Sequence, residues 1–356
     1  MKNKSIPFID NIKFLAAFFV IAVHFRINLQ GSIPTNQFTP KVSLFFSIVY
    51  QLFITCVPLF LITTGYLSLK QTYSKKLFIS LFKTITLYVF CSLFSYTIMH
   101  FTIGTTFTVH EIIQKIMYFE LIKYSWYVEM YIGLALLIPL FNKVIEFSNQ
   151  KELKHFISIL ILVISLPALI NALPQLYTWI HLPTFWKNLY PVLYYFIGAY
   201  IKKYVDVSSF SKKRKFKILL FLIITIILGI LINYFNANPT VGEKSGGYPS
   251  LLIVIQGTLT FLFISTMLNK KYPIITSISK LTLPIYLMSF SVDQILYPYL
   301  ISKLNSPITL IYFSPFIITL IFASSTILAY LINKLNIIIW KISWKISYKI
   351  NYKRLD

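Results

Sequence analysis

Apolar residues in this chain gather into runs of membrane-spanning length, parted by short polar breaks that hold many of its lysines. Ten such runs occur, at 8–28, 42–69, 76–102, 125–147, 155–172, 189–203, 216–236, 249–268, 274–298 and 308–334. A helix needs about 20 apolar residues to cross a bilayer, and in lipid its backbone must satisfy itself. The pattern therefore predicts an all-α, polytopic membrane bundle of about ten transmembrane helices. The run at 189–203 is short, and 42–69 is long enough to tilt or to kink at Pro58. The first run follows Lys2 and Lys4 as a signal peptide would, yet it exceeds a signal core and no small-x-small site follows. It reads as a retained helix. Two loops, 102–124 and 237–248, are longer than the other outer loops, and long loops often cover a site.

Composition narrows the class. With 57% hydrophobic and 12% charged residues, the chain is too apolar for an average soluble globular protein. Its formal charge of +23 raises nucleic acid as a partner, but the cations punctuate apolar runs and form no stripe on a soluble domain. Membrane orientation explains them better. With the N-terminus inside, the outer side holds only Arg26, Lys41, Lys115, Lys123, Lys187, Lys244 and Lys303 of the 33 Lys and Arg residues. That bias predicts both termini in the cytoplasm. The cluster Lys202, Lys203, Lys212, Lys213, Arg214, Lys215 and Lys217 marks the clearest inner loop, where anionic lipid is the expected partner. Cys56 and Cys91 lie far apart in apolar runs, so neither a disulfide framework nor a metal site is expected.

Residues 1–339 read as one transmembrane domain and 340–356 as a tail that repeats a four-residue unit, from Trp340-Lys-Ile-Ser to Tyr352-Lys-Arg. On a helix this repeat gives slowly spiralling stripes of rings and ammonium groups, suited to the membrane interface.

Candidate chemistry lies in the few ionisable groups within the runs. Lys13 and Lys83 fall in the inner turns of the first and third helices, whereas His24, Glu129 and Asp293 fall toward the outer side of the first, fourth and ninth. Such groups are costly in a membrane and mark functional sites. Lys13 and His24 are eleven residues apart, close to three helical turns, so they share a face at a separation of roughly 16 Å. Asp10, one turn before Lys13, is placed to pair with it. A histidine suits general-base work, and a carboxylate partner would orient the ring and stabilise the imidazolium. Either Glu129 or Asp293 could be that partner, and each could equally bond a nearby Tyr or Ser. A phosphate-binding glycine loop, a Gly-x-Ser-x-Gly elbow and a His/Cys metal pattern are all missing from the sequence.

Five ordered stretches carry a resemblance. Asp10-Asn-Ile-Lys13-Phe-Leu-Ala16 through Val20 to His24 resembles the opening motif of the membrane acyltransferase-3 family. Val57-Pro58-Leu59-Phe60 to Thr64-Gly65-Tyr66 resembles its Val-Pro-x-Phe-x-x-x-Ser-Gly-Tyr segment, with Thr64 in place of Ser. Ser125-Trp126-Tyr127 with Leu137-Ile138-Pro139-Leu140, Tyr194-Tyr195-Phe196-Ile197-Gly198-Ala199-Tyr200, and Leu281-Thr-Leu-Pro-Ile285-Tyr286-Leu287 resemble three later segments. Departures are the Lys at 13 where Arg is common, a weak match of the third-helix Arg positions by Lys83, and Ser289 where the family offers a late histidine.

The resemblance implies an integral membrane O-acyltransferase of the stand-alone form, without a fused extracytoplasmic domain. It would move an acyl group, most often acetyl, from a cytoplasmic acyl-CoA to a hydroxyl of a cell-surface polysaccharide or its lipid-linked precursor. His24 is then the expected catalytic residue with Glu129 in support, and Lys13 and Lys83 the expected donor-binding cations. Trp126, Tyr127, Asp293, Tyr194 and Tyr195 are candidates for the acceptor side. Acetyl-CoA or another acyl-CoA enters as co-substrate, with no bound cofactor and no metal expected, in a multi-pass protein of a bacterial plasma membrane. The alternative from another class is a transporter or flippase for envelope glycan or lipid, against which no internal inverted repeat is visible.

Overall fold

The computed structural model describes residues 6–34, 38–173, 180–236, 245–304 and 308–352, with the side chains of 304 and 339–352 outside the described set. Every regular element among these residues is helical. Among the described residues, seven stretches are long and apolar enough to cross a membrane: Pro7–Ser32, Pro40–Leu67, Lys75–Ile103, Lys123–Phe147, Gln150–Ile170, Lys212–Phe235 and Ser314–Ile338. The other three expected runs are helical too, over Tyr190–Tyr204, Leu251–Met267 and Thr282–Leu304. The chain is a multi-pass membrane protein.

The first expected helix is α1, Pro7–Ser32, opened by a proline whose missing N–H costs nothing in a first turn. The second is broken in two, α2 over Pro40–Phe53 and α3 over Cys56–Leu67. The break falls at Ile54 and Thr55, not at Pro58 itself. A proline ring clashes with the carbonyl four residues earlier, here that of Ile54, so Pro58 is accommodated in the first turn of a new helix. Helix α4, Lys75–Ile103, ends on Gly104 in the left-handed region (φ 70°). The long loop that follows contains a helix of its own, α5 over Val109–Met117. Thr108 and Glu111 close it with a reciprocal capping box, and the bond from the Thr108 backbone holds the Glu111 carboxyl below the usual carboxylate range.

Helix α6, Trp126–Phe147, follows a short 3₁₀ turn over Lys123–Ser125. The fifth expected run starts earlier than its apolar pattern, because Asn149 and Glu152 form a second capping box at the head of α7, Gln150–Leu160. It then passes through a π turn, Ile161–Ser165, into α8, Leu166–Ile170. The π turn stands just before Pro167, a place where the regular hydrogen-bond ladder is interrupted. The remaining helices are α9 (Tyr190–Tyr204), α10 (Lys212–Phe235), α11 (Leu251–Met267), α12 (Pro273–Ile278), α13 (Thr282–Leu304), α14 (Thr309–Tyr312) and α15 (Ser314–Tyr352). The ninth expected run is thus split at Ser279–Leu281. The backbone of α15 continues without a break into the repeat expected as a separate tail. The rings and lysines of that repeat, together with Lys244 and loop residues 237–244, lie outside the described residues.

Two close helix contacts set the centre of the bundle. A Cβ on Gly65 would stand 2.0 Å from the Tyr195 carbonyl oxygen, and one on Gly198 would stand 2.0 Å from that of Ile62. Helices α3 and α9 therefore touch backbone to backbone, which requires small residues on both sides. On its other flank α3 meets α11, where a Cβ on Gly257 would fall 2.7 Å from Pro58 Cβ. This explains why α9 is short: at 15 residues it is about 22 Å long, and Leu193 to Ala199 are all buried within protein. Asn142 strengthens the same region by donating to the Ser68 and Gln71 carbonyls (2.7 and 2.8 Å) and accepting from Tyr195 Oη. Asn11 does the same for α11, donating to the carbonyls of Leu268 and Lys270 (2.6 and 3.1 Å).

Candidate active site

Helix α1 is buried on most of its circumference, so its polar residues meet other helices rather than lipid. His24 is half-buried, and its Nδ1 is buried without a hydrogen-bond partner among the described residues. Its ring stacks on Tyr124, with centroids 3.7 Å apart and planes inclined by 30°. Tyr286 of α13 stands second, at 5.8 Å.

Tyr124 comes from the 3₁₀ turn ahead of α6, a turn closed by Ser125 Oγ donating to the Ile122 carbonyl at 2.6 Å. Its hydroxyl donates to Asp293 Oδ2 at 2.7 Å. Asn28, one helical turn beyond His24, donates to the same carboxylate oxygen at 3.2 Å. Asp293 is 2% exposed, and its Oδ1 has no hydrogen-bond partner among the described residues. Asp293 thus reaches His24 only through an intervening tyrosine.

A cavity of about 280 Å³ runs along α1 from Lys13 past Val20 to Tyr286. Across from α1 it is lined by Phe60, Thr63 and Thr64 of α3 and by Tyr127 and Tyr131 of α6. Thr63 Oγ1 is buried there without a hydrogen-bond partner among the described residues. Tyr127 meets Tyr286 edge to face at 5.9 Å, which joins the cavity wall to the aromatic group around His24. Lys13 is half-buried at the opposite end of this track. It makes no contact ion pair with Asp10, whose Oδ1 instead accepts from Ser279 Oγ at 3.0 Å. The close turn spacing on α1 is thus used to tie Asp10 to the break between α12 and α13.

The structure brings His24, Asp293 and Tyr127 into one region and sets Lys13 at the far end of the connected cavity. It does not bring in Glu129, which is exposed on α6 beside the fully buried Val128. The physical reason is helical phase: the face of α6 that meets the cavity carries Tyr127, Val128 and Tyr131, and position 129 points away from it. Lys83 is also exposed, whereas its neighbour Thr84 lines the cavity. Trp126 stacks on Tyr248 at 6.0 Å and meets Tyr127 edge-on, one layer behind the cavity wall. Tyr194 and Tyr195 are fully buried with their hydroxyls bound to the Tyr248 carbonyl and to Asn142, so both serve packing. Ser289, which stands in place of the late histidine of the motif, is buried and donates to the Tyr286 carbonyl at 2.8 Å.

Tyr124, Asn28 and Tyr286 are the site residues that sequence reasoning missed. A signal existed for Asn28, a polar residue one turn from His24 on the same face. Tyr124 gave none, because it lies in a turn where helical periodicity does not apply.

An acyltransferase domain family matches residues 6–334, nearly the whole chain. The chain belongs to the acyltransferase-3 family. Neither a curated protein nor a solved structure matches it. Membership makes this membrane protein an acyltransferase, with an acyl donor as its co-substrate, and sets aside the transporter reading. The family motifs divide by role in the fold: Gly65 and Gly198 serve the α3–α9 contact, Thr64 the cavity, and His24 the aromatic group at its end.

Proposed function

We propose that this acyltransferase is an O-acyltransferase that takes acyl-CoA, most readily acetyl-CoA, from the cytoplasmic side and acylates a hydroxyl of a cell-surface polysaccharide or its lipid-linked precursor. The observation that carries this reading is the continuous cavity from Lys13 to Tyr286, which ends against the ring contacts of His24. Lys13 stands where the charge bias of the sequence locates the cytoplasm, and a cation there attracts the donor's phosphates. The apolar and hydroxyl-lined walls fit the thioester arm.

In the reaction, His24 accepts the proton of the acceptor hydroxyl while that oxygen attacks the thioester carbonyl. A C–O bond forms, the C–S bond breaks, and the departing thiolate takes the proton back from the imidazolium. Tyr127, in the cavity wall against Tyr286, holds the acyl group in place. Glu129 and Lys83 have no part in this scheme, since both are exposed.

The test uses the full chain in inverted membrane vesicles that retain the native envelope glycan, supplied with acetyl-labelled acetyl-CoA. Label is expected in the glycan fraction, with release of one CoA thiol per acetyl transferred. Thiol release without label in any glycan would overturn the acceptor assignment. Full transfer by His24→Ala would overturn the catalytic one.

A further inference from the structure

We infer that Tyr124 and Asp293 are positioning residues that stabilise the protonated form of His24 through a stacked ring, in place of a direct bond between carboxylate and imidazole. This rests on the reading of His24 as the general base and adds to it the source of its countercharge. In the familiar arrangement a carboxylate accepts from the second imidazole nitrogen. Here the carboxylate is placed differently: the Tyr124 face lies against the imidazole at 3.7 Å, and the carboxylate is attached to the far end of that ring by a 2.7 Å bond.

The physical consequence follows from the charges. A cation is attracted to the face of an aromatic ring, and more strongly away from water. A hydroxyl that donates to a carboxylate polarises its ring and makes that face more electron-rich. When His24 gains the acceptor's proton, the charge appears directly against this face. The proton on Tyr124 stays on its own oxygen, and neither Tyr124 nor Asp293 gains or loses an atom. Asn28 donates to the same Asp293 oxygen from the helical turn next to His24, so α1 fixes the imidazole and the carboxylate together.

Three open polar atoms surround this bond. Asp293 sits at 2% exposure with Oδ1 unbonded among the described residues, a costly arrangement for a buried carboxylate. His24 Nδ1 is likewise left unbonded. Tyr297, one turn along α13, is buried with its own hydroxyl unpartnered among the described residues and does not take up the free oxygen.

The experiment compares Tyr124→Phe, Asp293→Asn and their combination with wild type and His24→Ala. Thiol release from acetyl-CoA is measured in the same vesicles, with turnover counted per acetyl-CoA binding site so that misfolded molecules drop out. Each single variant should lower kcat about tenfold or more while KM for acetyl-CoA stays within about twofold. The double variant should be no slower than the worse single, because both act through one bond. Asp293→Glu, which keeps the charge, should recover part of the loss. If Asp293→Asn fails to insert, Tyr124→Phe decides alone, since it keeps the ring and its stack. Singles that keep wild-type kcat while His24→Ala is inactive would overturn this inference and leave the base assignment standing. An active His24→Ala would overturn both.

Discussion

Two of the buried polar clusters among the described residues are built on opposite terms. One joins α2, α10 and α11: Gln51 Nε2 donates to Gln256 Oε1, Gln256 Nε2 returns a bond to the Gln51 carbonyl at 2.7 Å, and Asn233 Nδ2 donates to Gln51 Oε1 at 3.0 Å and to the Gly229 carbonyl at 2.8 Å. Gly229 makes room for it, since a Cβ there would fall 2.0 Å from the Gln51 side chain. The amide cluster leaves no side-chain atom buried and unbonded. The other cluster, around His24, leaves His24 Nδ1 and Asp293 Oδ1 unbonded among the described residues. An unsatisfied polar group in hydrocarbon is expensive. The amide cluster meets that demand in full, whereas the cluster around His24 does not.

The sharpest way to break this comparison is to remove one member of each cluster and ask which property falls. His24→Ala should lower acyl transfer about 10²- to 10⁴-fold, the usual range for a general base, with membrane insertion unchanged. Label transfer to glycan per inserted molecule measures it, and a loss below tenfold would place His24 among the structural residues. Gln51→Leu should do the reverse. It strands Gln256 and Asn233 and should cost about 1–3 kcal/mol of stability. A lowered Tm in detergent with unchanged turnover per folded molecule is the expected pair of readings, and a large loss of turnover would erase the distinction between the clusters.

Smaller effects sharpen the ends of the cavity. Lys13→Ala should raise KM for acetyl-CoA about tenfold, equivalent to about 1.4 kcal/mol, and Lys13→Arg should restore it by keeping the charge. Equal KM in wild type and Lys13→Ala would detach Lys13 from the donor. The smallest change is expected at Glu129, exposed on the outer face of α6. Glu129→Gln should alter transfer by less than about twofold, and a greater loss would show that this carboxylate reaches the site during turnover.

Much of the architecture was legible in the chain because a bilayer demands long apolar stretches, and each of the ten runs became helix. Their internal breaks were harder to see. Pro58 announced an interruption but not its place four residues earlier, and α5 stood hidden in a polar loop whose capping box, Thr108 with Glu111, is a local signal. His24 was legible as an ionisable group in a spanning helix, and Lys13 by its shared face. The neighbours of His24 were not legible. Glu129 and Asp293 lie at similar depth in sequence, and only the rotation of α6 turns one of them outward.

The sequence by itself determined the membrane class, the helical runs, the family motifs and which ionisable side chains lie within the runs, because these depend on local composition, spacing and the chemistry of single side chains. The tertiary structure alone decided which neighbours His24 meets. Helical phase removed Glu129, a turn delivered Tyr124, and a distant helix supplied Asp293 at 2.7 Å from the Tyr124 hydroxyl. Contacts of that kind join residues far apart in the chain, and no periodicity within one segment encodes the angle at which another segment packs against it.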